Sequence, residues 1–188
     1  IGKAIKKNGI KRQNIYLTTK VEETDNAYNA TKANLKELKI DYADLILIHR
    51  PPQIGAGENL WEGLIKAKEE GLAKDIGVSN YSTDLIEKLI EASGEVPVVN
   101  QIEWSPFGHS KKMKEYCDKK GILFLSTPHT YEAIDFLENL VPAYKFGSGD
   151  INNLPTLQYA ARKNKPMILG TGMSTFGEVE AAVKIIKK

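Results

Sequence analysis

The chain has 188 residues, 41% of them hydrophobic and 27% charged, a globular composition long enough to bury about 70% of its unfolded surface around one core. Its formal net charge of +2 comes from nearly balanced acids and bases with no basic run longer than the terminal IIKK, so nucleic-acid binding has little electrostatic support and a small-molecule partner is indicated. One cysteine, Cys117, rules out an internal disulfide and suits a reducing, cytoplasmic setting; no apolar run approaches the ~20 residues that a bilayer span needs, and no signal sequence opens the chain.

The opening IGKAIKKNG reads as a helix already under way, so a missing N-terminal segment is an expectation. Short β-rich runs then alternate with longer amphipathic ones. The strand candidates, in order, are IYLTTK, DLILIH, DIGVSN, VVNQIEW, LFLSTP, AYKFGSG and PMILGTG. Between and after them lie the helical patterns NAYNATKANLKELK, LWEGLIKAKEEG, TDLIEKLIEAS, SKKMKEYCDKKG, YEAIDFLENL, LPTLQYAARKNK and FGEVEAAVKIIKK, several closed by Gly or followed by Pro. A continuous apolar run such as LILI must be covered on both faces, which helices accomplish in a parallel α/β arrangement. The order predicts one α/β domain over 1–188, a (β/α) barrel of the TIM type with about seven parallel strands. A doubly wound sheet is the rival, but no GxGxxG follows the first strand, and polar residues gather at the strand ends that would form a barrel rim. A complete eight-stranded barrel takes about 250 residues. The expected barrel is therefore incomplete or hybrid, with an open edge through which the chain could self-associate.

Residues 1 to about 107 resemble the aldo-keto reductases. The likeness is carried by YLTTK (16–20), LKIDYADLILIHRP (38–51), Trp61, EEGLAKDIGVSNYS (69–82) and VVNQIEWSP (98–106). It implies hydride transfer from NADPH to a small carbonyl substrate, with Lys20 as the lysine that lowers the pKa of a proton-donating tyrosine and His49 as the histidine that orients the carbonyl. The family's tyrosine and aspartate would precede residue 1. Ser79, Asn80 and Gln101 match the positions that hydrogen-bond the nicotinamide carboxamide. The aromatic residue on which the ring stacks falls near Ser126, where the chain has none, and the last strand lacks the basic loop for the adenosine phosphate, so weakened NADP binding is expected. Without the motif, Lys20 would read as a solvated charge and His49 as part of a turn before Arg50 and two prolines.

From about 113 to 188 the resemblance changes. YCDKKGILFLSTPH, AYKFGSGD, NLP and KPMILGTGM are similar to the sialic acid synthases and their pseudaminic and legionaminic relatives, also (β/α) barrels, which condense phosphoenolpyruvate with an amino sugar using a divalent metal. By that likeness Thr127, Lys145 and Ser148 surround phosphoenolpyruvate, Gly170 stands where the family usually has serine, and the metal-binding histidines lie beyond Lys188. The plain alternative makes GSGD and GTGM simple turns. His109 and His129 are each isolated and read as surface or satisfied core residues, with no metal ligand among them. The two likenesses meet in YCDKKGI, which either family could supply. Three readings follow: an aldo-keto reductase with its catalytic set cut at one end, a synthase-like protein retaining a phosphoenolpyruvate pocket, and a non-catalytic hybrid barrel.

Overall fold

The computed structural model describes residues 2–7, 9, 11–103 and 110–187, with the backbone alone at 4; the 104–106 end of VVNQIEWSP and His109 lie outside the described residues. The chain divides into two compact units, residues 1–100 and 101–188, with the boundary inside the fourth strand.

The first unit runs through α1 (Gly2–Lys7), a 3-10 turn (Arg12–Asn14), β1 (Thr18–Val21), α2 (Ala27–Leu38), β2 (Ala43–Ile48), α3 (Glu58–Glu69), β3 (Ala73–Ser79) and α4 (Thr83–Ser93) to the start of β4 (Val99–Ile102). β2 pairs in parallel with β1 and β3. All six residues of β2 are buried, as the unbroken apolar run requires, and α2 and α3 pack against these strands. Trp61, Leu64, Ile46, Ile48, Ile76 and Leu89 are at most 1% exposed. Burying each aliphatic side chain among them contributes about 1.5–3 kcal/mol. Helix starts are set locally: the side chains of Asn26 and Ser82 accept from the backbone N–H groups of Asn29 and Leu85, satisfying donors that the first turn leaves open.

Gly77 sits where β3 is most crowded. A Cβ there would lie 2.7 Å from the Val99 carbonyl oxygen and 2.9 Å from Leu47 Cδ2, so only glycine lets β3 pass between its neighbours. At the opposite end of β2 from the residues expected to be functional, Asp44 is 4% exposed. It receives hydrogen bonds from Arg12 Nη2 (2.8 Å), Lys74 Nζ (2.8 Å) and the Leu17 backbone N–H (2.9 Å). This cluster ties the 3-10 turn, β1 and β3 to the start of β2.

The second unit contains the end of β4, α5 (Lys111–Lys120), β5 (Leu123–Ser126), α6 (Tyr131–Leu137), β6 (Tyr144–Phe146), α7 (Leu154–Ala161), β7 (Met167–Leu169) and α8 (Phe176–Ile186). β5 follows β4 in strand order, whereas β6 and β7 form a separate parallel pair. β5 lies beside β6 without ladder pairing, so the sheet is open there. Thr130 and Asn153 cap α6 and α7, and Thr175 with Glu178 forms a reciprocal capping box on α8. The seven strands stand where the apolar runs place them, but AYKFGSG and PMILGTG yield only three residues of strand each. Their glycine-rich halves turn away as loops.

Candidate active site

Strand register builds the first site. Lys20 is opposite Leu47 and Leu47 opposite Gly77; one step later Val21, Ile48 and Val78 align. Continuing the register brings Glu22, His49 and Ser79 side by side at the strand ends. Because side chains alternate along a strand, these three share a face with Lys20.

The side chains then connect. Lys20 Nζ donates to Ser79 Oγ at 3.3 Å. Asn80, held at φ +63° in the left-handed region that asparagine tolerates, donates from Nδ2 to Ser79 Oγ (3.2 Å) and to the His49 carbonyl (3.1 Å). His49 Nδ1 lies 2.9 and 3.0 Å from the two carboxylate oxygens of Glu22. Four of the expected residues, Lys20, His49, Ser79 and Asn80, thus belong to one hydrogen-bonded string across three strand ends.

Three supporting residues were not foreseen from the sequence. Asn34 Nδ2 donates to the Lys20 carbonyl at 3.0 Å and fixes the end of β1. Asn100, fully buried, bonds both backbone groups of Tyr81 and so holds the turn that carries Ser79 and Asn80. Glu22 is the third. Its signal was available, since it lies two residues past Lys20 and strand alternation puts it on the same face. Beyond these strand ends, the loops after β1 and β2 enclose a cleft of about 480 Å³ lined by Glu23, Asp25, Asn26, Pro52, Ile54 and Glu58, among others. Its carboxylates disfavour an anionic occupant and suit a neutral polar one.

Gln101, half-buried on β4, opens the second unit. There Thr127 follows β5, and Lys145 and Ser148 lie on and just after β6, each partly exposed. Burial pulls the Lys145 ammonium below its ordinary pKa, opposed by the charge of Asp150. Asp150 Oδ2 accepts from the Gly147 N–H at 3.0 Å, and its Oδ1 lies 3.6 Å from Nδ1 of the exposed His129. A side chain at Gly170 would meet the Ser148 backbone nitrogen at 2.7 Å, so the close approach of β7 to the 146–148 turn requires glycine where the synthase likeness has serine. Ser126 is fully buried. Among the described residues, no group of three or more His, Cys, Asp or Glu could hold a metal ion, and no helix is long and apolar enough to cross a membrane.

The family model described as the Aldo/keto reductase family matches residues 1–129, and that described as the NeuB family matches residues 79–188. The chain belongs to both families. Their overlap, 79–129, contains YCDKKGILFLSTPH, the stretch in which the two sequence likenesses meet. Aldo-keto reductase from Mycobacterium sp. (strain MCS) is 37% identical over 128 residues, covering 65% of this chain and 45% of that protein. Methylglyoxal reductase DkgA of Escherichia coli is 37% identical over 116 residues, 60% of this chain and 42% of that protein. The chain spans less than half the length of these curated relatives. Among solved structures, an aldo/keto reductase from Brucella melitensis matches with a TM-score of 0.68 and 31% identity, over 98% of this chain and 72% of that one. The Bombyx mori aldo-keto reductase in complex with NADP matches in fold, with a TM-score of 0.63, 24% identity and coverage of 97% and 71%. The parallel barrel-type α/β fold of an aldo-keto reductase is thus present, with its sheet not closed.

Proposed function

We propose that the protein carrying this chain reduces small aldehydes or ketones with NADPH, with Lys20 and His49 acting at the carbonyl and Ser79, Asn80 and Gln101 holding the nicotinamide carboxamide. The observation that supports this is the hydrogen-bonded string Lys20–Ser79–Asn80–His49 at three successive strand ends of an aldo-keto reductase fold. Its polar groups suit a primary amide, since Asn80 Oδ1 is an acceptor for an amide N–H. NADPH, when bound, supplies the hydride. Lys20 supplies positive charge beside a phenolic donor and so favours its ionised form, while the His49 imidazole orients the substrate. Ser126 gives no aromatic surface for the nicotinamide ring, so affinity is below that of a complete site. Methylglyoxal is a suitable first substrate, given the relationship to the DkgA reductases. Titration of the full-length protein with NADPH should show saturable binding that Asn80→Ala weakens about tenfold, the loss of one or two hydrogen bonds. Binding that is absent, or indifferent to Asn80, would refute the assignment.

A second reading rests on the NeuB-family match and on the half-buried Lys145 within β6: the second unit retains a phosphoenolpyruvate pocket formed by Thr127, Lys145 and Ser148. Calorimetry with phosphoenolpyruvate, with and without manganese, should then give heat that Lys145→Met abolishes; no heat from the unaltered protein would end this reading. Both readings fit a hybrid of two barrel families joined within 79–129, where each supplies the same βα unit.

A further inference from the structure

His49 is held on three sides. Its backbone N–H donates to the Val21 carbonyl at 2.9 Å, its carbonyl accepts from Asn80 Nδ2 at 3.1 Å, and its ring Nδ1 faces both oxygens of Glu22. Glu22 is itself anchored, because its backbone N–H donates to Asp25 Oδ2 at 2.8 Å. An ionised carboxylate only accepts hydrogen bonds. The hydrogen in this contact therefore belongs to Nδ1, and that choice fixes what the other ring nitrogen can do. When the ring is neutral, Nε2 carries a lone pair. Only when the ring is protonated does Nε2 carry a hydrogen.

We infer that Glu22 is a positioning residue that sets the polarity of His49: the neutral ring presents an acceptor, and only the imidazolium presents a donor. This rests on the reductase reading, in which the ring meets a carbonyl oxygen. Two acceptors do not bond, so a carbonyl engages His49 in its protonated form, while a hydroxyl, as in the alcohol product, engages the neutral ring. Glu22 thereby ties the direction in which the site binds its ligands to the ring's charge. Without Glu22 the neutral ring would be free to place its hydrogen on Nε2 and donate to a carbonyl at any pH. Among the described residues, the charged groups next to His49 by register or sequence are Glu22, which contacts the ring, Lys20 two residues before it on β1, and Arg50; the neighbouring end of β3 carries the neutral Ser79 and Asn80.

The test is the tautomer itself, read from the ring nitrogen shifts of His49 by long-range proton–nitrogen NMR on uniformly labelled protein, without substrate or cofactor. At a pH where the ring is neutral, the unaltered protein should show hydrogen on Nδ1 and a bare Nε2. Glu22→Ala should move the hydrogen to Nε2, and Glu22→Gln, whose amide oxygen still accepts, should restore the Nδ1 form. The Glu22 side chain is 58% exposed, so these variants should fold. A neutral His49 protonated on Nε2 in the unaltered protein, or a pattern unchanged by Glu22→Ala, would overturn the inference. Because the measurement needs no turnover, an Nδ1-protonated ring in a protein that never consumes NADPH would uphold the role of Glu22 while sinking the reductase reading.

Discussion

Replacing Asp44 by alanine is expected to cost the fold about 3 kcal/mol, the usual consequence of breaking a buried ion pair by removing one partner. The change strands the mostly buried Arg12, whereas Lys74 is more than half exposed and returns to water. Asp44 is almost wholly buried, and Arg12, Lys74 and the Leu17 N–H all converge on it. Arg12 also bonds the carbonyls of Ile15 and Tyr42 and lies 4.2 Å from the centre of the Tyr42 ring. It cannot swing out to water without breaking those contacts. Burial alone would raise the Asp44 pKa, but the hydrogen bonds from Lys74, Leu17 and Arg12, with the Arg12 charge, outweigh it and hold the carboxyl below its ordinary range. A carboxyl whose pKa is lower folded than unfolded contributes stability that is complete above the unfolded value, about 3.9, and is lost as the pH falls through the lower folded value. Urea denaturation of the unaltered protein and Asp44→Ala should therefore show the full gap at neutral pH and a narrowing gap in acid. A gap below ~1 kcal/mol at neutral pH would show that the cluster does not hold β2 in place.

Lys20→Met should slow NADPH consumption with a small aldehyde by about 100-fold to 10,000-fold, the range associated with losing effective acid–base assistance. Methionine keeps the length and apolar stem of lysine but removes the charge and the donor to Ser79. Stability should change little, because Lys20 is partly exposed and its hydrogen bond to Ser79 is long at 3.3 Å. Lys20→Met that folds normally and turns over at the unaltered rate would remove this lysine from the chemistry. Lys20→Arg gives a useful contrast, since it keeps the charge but changes its shape and fixes its protonation.

The strands were legible because each is a short apolar or alternating run between helices, five of which begin at a capping Asn, Ser or Thr, signals that act within a few residues. The residues at the rim were legible because motifs mark them: YLTTK ends at Lys20, IHRP begins its turn at His49, and GVSN carries Ser79 and Asn80. What those residues touch was less legible. Asn100 bonds Tyr81 from 19 positions away and Arg12 reaches Asp44 across 32, and both pairings depend on strand register that no local pattern specifies. The need for glycine at positions 77 and 170 likewise arises from the approach of separate chain segments, which would leave an added Cβ 2.7 Å from a backbone atom in each case, rather than from local turn geometry. In the sequence, the glycine-rich ends of AYKFGSG and PMILGTG read as strand because their apolar halves are continuous with them. The Gly147 N–H, turned to the Asp150 side chain, shows where the first of those strands gives way to a loop.

The most direct test of the central claim is the consumption of NADPH by the full-length protein presented with methylglyoxal and other small aldehydes and ketones. The string of Lys20, Ser79, Asn80 and His49 predicts turnover that depends on the carbonyl substrate and falls steeply in Lys20→Met. NADPH left unchanged by every carbonyl compound, in a protein that is folded and of full length, would contradict it.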